Sequence, residues 1–158
     1  MRIWGHPIHP VLVHFPIAFW TVATGAYVAS AAGVGEAAGI AQFANGAGLI
    51  MAILAMLAGV LELRSIDSRS AEMRVATWHL MAMGTVWICF LLAWLLPMSA
   101  GAAMNHSTAE LGAAAGAIAG FLLMGVGGWL GGRLVYEFGV GVKNRTKSSI
   151  KNSTASGV

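Results

Sequence analysis

Cysteine is nearly absent: Cys89 stands alone among 158 residues. No disulfide framework can form within one chain, and no closed thiolate zinc site can be built. Charge is scarce as well, since Asp, Glu, Lys and Arg make up only 9% of the residues. Soluble domains carry roughly 25%, so this chain cannot coat a water-facing surface, and an ordinary soluble enzyme is all but excluded. There is no Gly-x-Ser-x-Gly elbow, no Walker loop, no His-Glu-x-x-His pair and no Cys-x-x-Cys, which removes the commonest hydrolase, nucleotide and redox-thiol chemistries. Carboxylates are not paired within any apolar stretch, as a cation carrier would require. What the sequence does have is apolar bulk, 58% hydrophobic residues with a mean hydropathy of +0.75. That content excludes intrinsic disorder and leaves a small polytopic membrane protein.

A membrane helix needs about 20 predominantly apolar residues. Four stretches qualify, about residues 11–33, 44–63, 75–96 and 111–134. A backbone in lipid must satisfy its own hydrogen bonds, and no alternating short segments suggest a barrel. The expected fold is therefore an all-α membrane protein, four transmembrane helices in an up-down-up-down bundle occupying residues 1–142. Pro10 suits the first turn of the first span. Pro16, about a turn further in, should bend that span or free a carbonyl. Asn45 is expected to cap the second span, Ser107 or Thr108 the fourth, and Pro97 should stop the third.

All nine basic residues fall on one side of such a bundle: Arg2, then Arg64, Arg69 and Arg74, then Arg133, Lys143, Arg145, Lys147 and Lys151. The opposite connections, residues 34–43 and 98–110, contain none. The positive-inside rule then places both termini in the cytoplasm of a bacterial inner membrane protein. Arg2, the apolar run and Ala29-Ser30-Ala31 loosely match a cleavable signal peptide, but His14 and Pro16 interrupt its apolar region, so the segment reads as a retained span. Residues 143–158, basic and rich in Ser, Thr and Asn, read as a flexible cytoplasmic tail that can rest on anionic lipid. A nucleic-acid role would rest on that tail alone and is not expected.

Ionisable residues inside membrane segments are costly and are functional hypotheses by default. His14 and His79 lie four and five residues past Pro10 and Arg74, about 6–8 Å below the expected helix starts. Two parallel spans thus offer one imidazole each to the same layer, the arrangement that bis-imidazole haem ligation requires. The alternative is that both imidazoles bond to backbone, water or lipid near the interface. His6 and His9 precede prolines and should lie on a stiff extended entry segment. They read as solvated imidazoles or, with His14 and His79, as a metal site. His106 falls in a connection on the other side. Arg133 can pair with a haem propionate or lipid phosphate, and Tyr136 can donate a hydrogen bond; equally, both can anchor the helix end at the interface. Glu62 and Arg64 neutralise neighbours there. Gly112, Gly116 and Gly120, continued by Gly128 and Gly132 and flanked by Gly127 and Gly131, form small-residue faces for close helix approach, inside the chain or against a partner. Met51, Met56, Met81, Met83 and Met124 read as lipid-facing or core filling.

The run GHPIHPVLVHFPIAFW at residues 5–20, the RVATWHLMAMG segment around His79 and the GGRLVYEFGVGV ending at residues 131–142 resemble the DUF2231 family of predicted bacterial membrane proteins. The resemblance covers nearly the whole chain except the tail. It implies a four-span fold, and it singles out His9, His14, His79, Arg133 and Tyr136 by position. Members joined to Rieske-type or cytochrome-type modules imply a redox setting. One departure stands out: where the family pattern has an Asn shortly after the third-span His, this chain has Met81 or Met83.

The leading expectation is a cytochrome b-like, b-type haem-binding electron-transfer component, with haem near the cytoplasmic face on His14 and His79 and with Arg133 and Tyr136 beside it. No histidine lies in the outer half of a span, so electrons would pass to a quinone, a redox partner or a larger complex. Two other classes stay open: a non-catalytic accessory subunit packing its glycine faces against a larger membrane complex, and a metal-binding protein using His9, His14 and His79. No catalytic constellation is read, so a carrier or subunit is expected before an enzyme.

Overall fold

The structure, a computed structural model, describes residues 2–3, 6–64, 66–101 and 105–142. The expected tail, residues 143–158, and the side chain of His6 lie outside them. A short antiparallel pairing of β1 (Arg2–Ile3) with β2 (His6–Pro7) precedes the helices. The helices are α1 (His9–Leu12), α2 (His14–Ala31), α3 (Ala37–Leu63), α4 (Ala71–Leu95) and α5 (His106–Tyr136), with a 3-10 turn at Pro97–Ser99. Together they provide four helical segments long and apolar enough to cross a bilayer, His9–Ala31, Ala37–Leu63, Ala71–Ser99 and His106–Tyr136.

Local chemistry sets most boundaries. Pro16 has no N–H for the Leu12 carbonyl, and the first span is interrupted at Val13, between α1 and α2. At the end of α2, Gly33 takes φ +95° while Gly33 N–H bonds Ser30 O at 2.9 Å and Val34 N–H bonds Ala29 O at 3.0 Å. This left-handed cap closes the helix carbonyls. Ser70 caps α4 by accepting from Met73 N–H at 3.1 Å, and Pro97 ends α4 as expected. Two expected caps are corrected. Asn105, not Ser107 or Thr108, caps α5, accepting from Thr108 N–H at 2.8 Å. Asn45 caps nothing: α3 begins at Ala37, because the Ala-Gly connection is helix-competent, and Asn45 sits two turns inside, fully buried.

The helices pack as a ring, α2 on α3, α3 on α4, α4 on α5 and α5 on α2, with α1 lying on α3. Side-chain size is sorted: Ala23, Ala41, Ala93, Ala113 and Ala117 are fully buried, whereas Phe43, Ile50, Leu122 and Trp129 are exposed on the outer surface. Lipid is as apolar as leucine, so close approach through small residues holds such a bundle together. The exposed threonines comply too, with Thr21, Thr77 and Thr85 bonding the carbonyls one turn back.

One aromatic layer closes the middle. Trp20 of α2 stacks on Phe90 of α4 with centroids 4.5 Å apart and planes 2° apart. Gly48 of α3 lies against the Trp20 indole and Gly120 of α5 against the Phe90 ring. The two rings are thus clamped between two glycines, one from each remaining helix. Gly112 and Gly116 continue this seam on α4, contacting Leu96 and Ala93 respectively, and Gly127 and Gly131 take it over further along α5. Gly125 and Gly128 meet nothing within 4 Å. The expected Gly112–Gly116–Gly120 face is therefore occupied inside the chain, and its continuation runs through the Gly127 row, not the Gly128 row.

Candidate functional site

Two imidazoles meet at the end of the bundle formed by α1, the end of α3, the start of α4 and the end of α5. His9 Nδ1 lies 2.8 Å from Ala55 O of α3. One turn further along α3 is Gly59, where an added Cβ would stand 3.1 Å from His9 Cε1 and Nδ1. The second cradle repeats the first: His79 Nδ1 lies 2.8 Å from Gly127 O of α5, and a Cβ on Gly131, one turn on, would stand 3.2 Å from His79 Cε1. Each ring rests its Nδ1–Cε1 edge on a carbonyl and a glycine of a neighbouring helix. A carbonyl only accepts, so Nδ1 carries the proton in both rings, and in the neutral ring Nε2 keeps its lone pair. Anchoring one ring nitrogen in this way fixes tautomer and orientation for ligation by the other.

The two rings stand with centroids 6.3 Å apart and planes at 89°. Among the described residues no group of three or more His, Cys, Asp and Glu gathers for a metal ion. The pair supplies two donors, fewer than the three or four protein ligands that a bare ion needs, and could hold a group that brings its remaining ligands with it.

The other expected site residues go elsewhere. His14, on the opposite side of the Val13 interruption, is exposed, its Nδ1 3.4 Å from Val11 O of its own chain segment. His79 is partnered by His9 instead, which Ala55 O and the small Gly59 of α3 receive inside the bundle. Arg133 and Tyr136 turn outward. Arg133 Nε donates to both carboxylate oxygens of Glu137 at 3.0 and 2.9 Å, Nη2 approaches Oε2 at 2.8 Å, and the guanidinium lies 5.2 Å from the Trp129 ring centre. This pairing holds the Glu137 carboxyl below the usual carboxylate range. Tyr136 is 89% exposed. Trp129, Gly132, Arg133, Tyr136 and Glu137 line an open groove of about 320 Å³ on the outer face of α5. His106, expected in a loop, is the first residue of α5.

A second polar group, at the opposite end of the bundle, has no counterpart in the sequence reading. Asn45 Nδ2 donates to Tyr27 Oη at 3.1 Å and to Phe90 O at 2.9 Å. Ser30 Oγ donates to Glu110 Oε1 at 3.2 Å. Gln42 Nε2 donates to Trp94 O at 3.3 Å while Trp94 Nε1 returns a bond to Gln42 O at 3.2 Å. Two spacings carry the signal in retrospect: Tyr27 with Ser30, and Gln42 with Asn45, each three apart and hence on one helix face. Hydropathy hid Glu110 by leaving it in a connection.

Four antiparallel apolar helices with small residues inside and large ones outside define an integral membrane protein that contacts the lipid bilayer. A sequence model of the family described as predicted membrane protein (DUF2231) matches residues 5–144. The chain belongs to that family. No curated protein and no solved structure matches it.

Proposed function

We propose that this chain is a haem-binding electron-transfer component of a bacterial inner membrane, in which His9 and His79 would hold the haem. The observation that carries the reading is the pair itself: two rings from two spans, both anchored through Nδ1, with centres 6.3 Å apart. A b-type haem bound there would supply one-electron chemistry. The chain's own part is to hold each imidazole in one tautomer and to keep its flank closed with Gly59 and Gly131. The arginines at the start of α4 and the end of α5 support an orientation with this end, and both termini, in the cytoplasm. Electrons would then leave to a quinone or redox partner on that side. His14, Arg133 and Tyr136 stand outside this reading.

The test is a reduced-minus-oxidised visible spectrum of the protein purified after expression with ample haem. A b-type α-band is expected in the wild type and in His14→Ala, and its loss in His9→Ala and in His79→Ala. Absence of the band in the wild type, or its persistence in His9→Ala, overturns the assignment.

A further inference from the structure

Away from the histidines, Tyr27, Ser30, Ala38, Gln42, Pro97 and Glu110 enclose a small cavity in which the centre of a water molecule has about 30 Å³ to occupy. A water needs about 10–15 Å³ by that measure and two to four polar partners. The wall provides four oxygen-bearing side chains with unspent capacity. Tyr27 Oη accepts from Asn45, so its hydrogen remains to be given. Gln42 spends its amide N–H on Trp94 O, so its Oε1 remains an acceptor. Glu110 receives Ser30 on Oε1, and its Oε2 takes no protein donor among the described residues. An apolar void of this size stays dry, but one lined by a carboxylate, a phenol, a hydroxyl and an amide does not.

We propose that this cavity is a water-filled protonation site, in which water links Tyr27 to Glu110 and Glu110 takes its proton from the aqueous phase at that end of the bundle. The step is a simple transfer: hydronium gives a proton to the carboxylate, leaving water and a neutral carboxyl. Inward, the path ends at Asn45, because the Trp20–Phe90 stack fills the bundle beyond it. The site is therefore a one-sided proton store and not a channel. Tyr27 is the other titratable group in the wall; α3 presents only the amides of Gln42 and Asn45, the end of α4 presents Pro97, and His106 lies one turn before Glu110 on α5. The inference does not depend on the histidine pair.

Infrared spectra of the protein in phospholipid vesicles, titrated with acid in H₂O and D₂O, test it. The expected result is a carboxylic C=O band that grows as pH falls, shifts on transfer to D₂O, and is missing from Glu110→Gln. Tyr27→Phe, which removes one water partner, should shift the band, while Glu36→Gln on the exposed start of α3 should leave it unchanged. If Glu110→Gln does not fold, Ser30→Ala reads the same band shift. A band unchanged in Glu110→Gln, a band insensitive to D₂O, or Tyr27→Phe identical to the wild type would each overturn the site. A band that moves with sodium at fixed pH and ionic strength would assign the cavity to a metal cation instead of water.

Discussion

Replacing Gly48 by alanine adds one methyl group at the most confined point of the bundle. The new Cβ would stand 2.7 Å from Trp20 Cδ1 and Nε1 and 3.3 Å from Phe19 Cβ. Carbon contacts are optimal at about 3.5–4.0 Å, so the indole must retreat by roughly 0.8 Å. It has nowhere to go: Trp20 is 1% exposed, Phe90 is stacked behind it at 4.5 Å, and Gly120 closes the far side of Phe90. Overpacking of this kind costs about 1–3 kcal/mol. The helix gains about 0.5–1 kcal/mol from losing a glycine, so a net loss of up to about 2.5 kcal/mol is expected. Gly125→Ala and Gly39→Ala, where an added Cβ meets nothing within 4 Å, keep the gain without the clash and should be neutral or stabilised. The assay is equilibrium unfolding in mixed micelles followed by tryptophan fluorescence. Gly48→Ala as stable as Gly125→Ala would refute the clamped stack. The double variant Gly48→Ala/Gly120→Ala should deviate from additivity by about 0.5–3 kcal/mol, because one methyl presses on Trp20 and the other on Phe90, the two members of one stack.

Asn45 offers a second stability test. Asn45→Ala loses two hydrogen bonds and opens space, an expected cost of about 1–3 kcal/mol at the roughly 0.6–1.7 kcal/mol that intramembrane bonds contribute. Asn45→Leu fills the space and removes a buried Oδ1 that has no partner among the described residues, so it should fall within about 1 kcal/mol of the wild type; equal costs for the two variants in the same unfolding assay would contradict this. At the surface, Glu137 has its pKa lowered by the Arg133 hydrogen bond. Its contribution to stability is therefore present above the ordinary carboxylate range and lost as pH falls through the lowered value. In Arg133→Gln, an NMR titration of the Glu137 side chain should return it to the ordinary range with almost no change in unfolding midpoint, as befits an exposed pair.

Hydropathy alone located all four spans, and Pro97 and Pro16 marked the stop and the break where the structure has them. Facing was not legible. A membrane helix is apolar all round, so its hydrophobic pattern does not say which side meets protein. His9 and His14 differ by five residues, about 140° around a continuous helix, so one at most can enter the bundle, and nothing in the local pattern chooses between them. The selection comes from Ala55 and Gly59, small residues on another helix that expose a carbonyl and leave room for a ring. Asn45 and Glu110 were hidden differently. The Ala-Gly and Asn-His-Ser connections are only weakly hydrophobic but helix-competent, so α3 and α5 extend beyond the apolar runs and carry both residues inside their helices.

The aromatic layer also limits what the two polar ends can do together. Trp20 and Phe90 lie between the His9–His79 pair and the Glu110 cavity, and both are at most 1% exposed, with glycines pressed on either side. The stacked pair stands as a flat, packed barrier between the two polar ends. Any communication must pass through packing: Asn45 bonds the carbonyl of Phe90, and Gly48, one turn along α3, rests on Trp20. A change in the hydrogen bonding of Tyr27 would reach the stack through Asn45, and the stack is clamped too tightly to absorb it by ring motion alone. The fluorescence of Trp20 should therefore respond to protonation of Glu110 in the wild type and lose that response in Asn45→Leu. A response that survives Asn45→Leu would place the coupling elsewhere in the bundle.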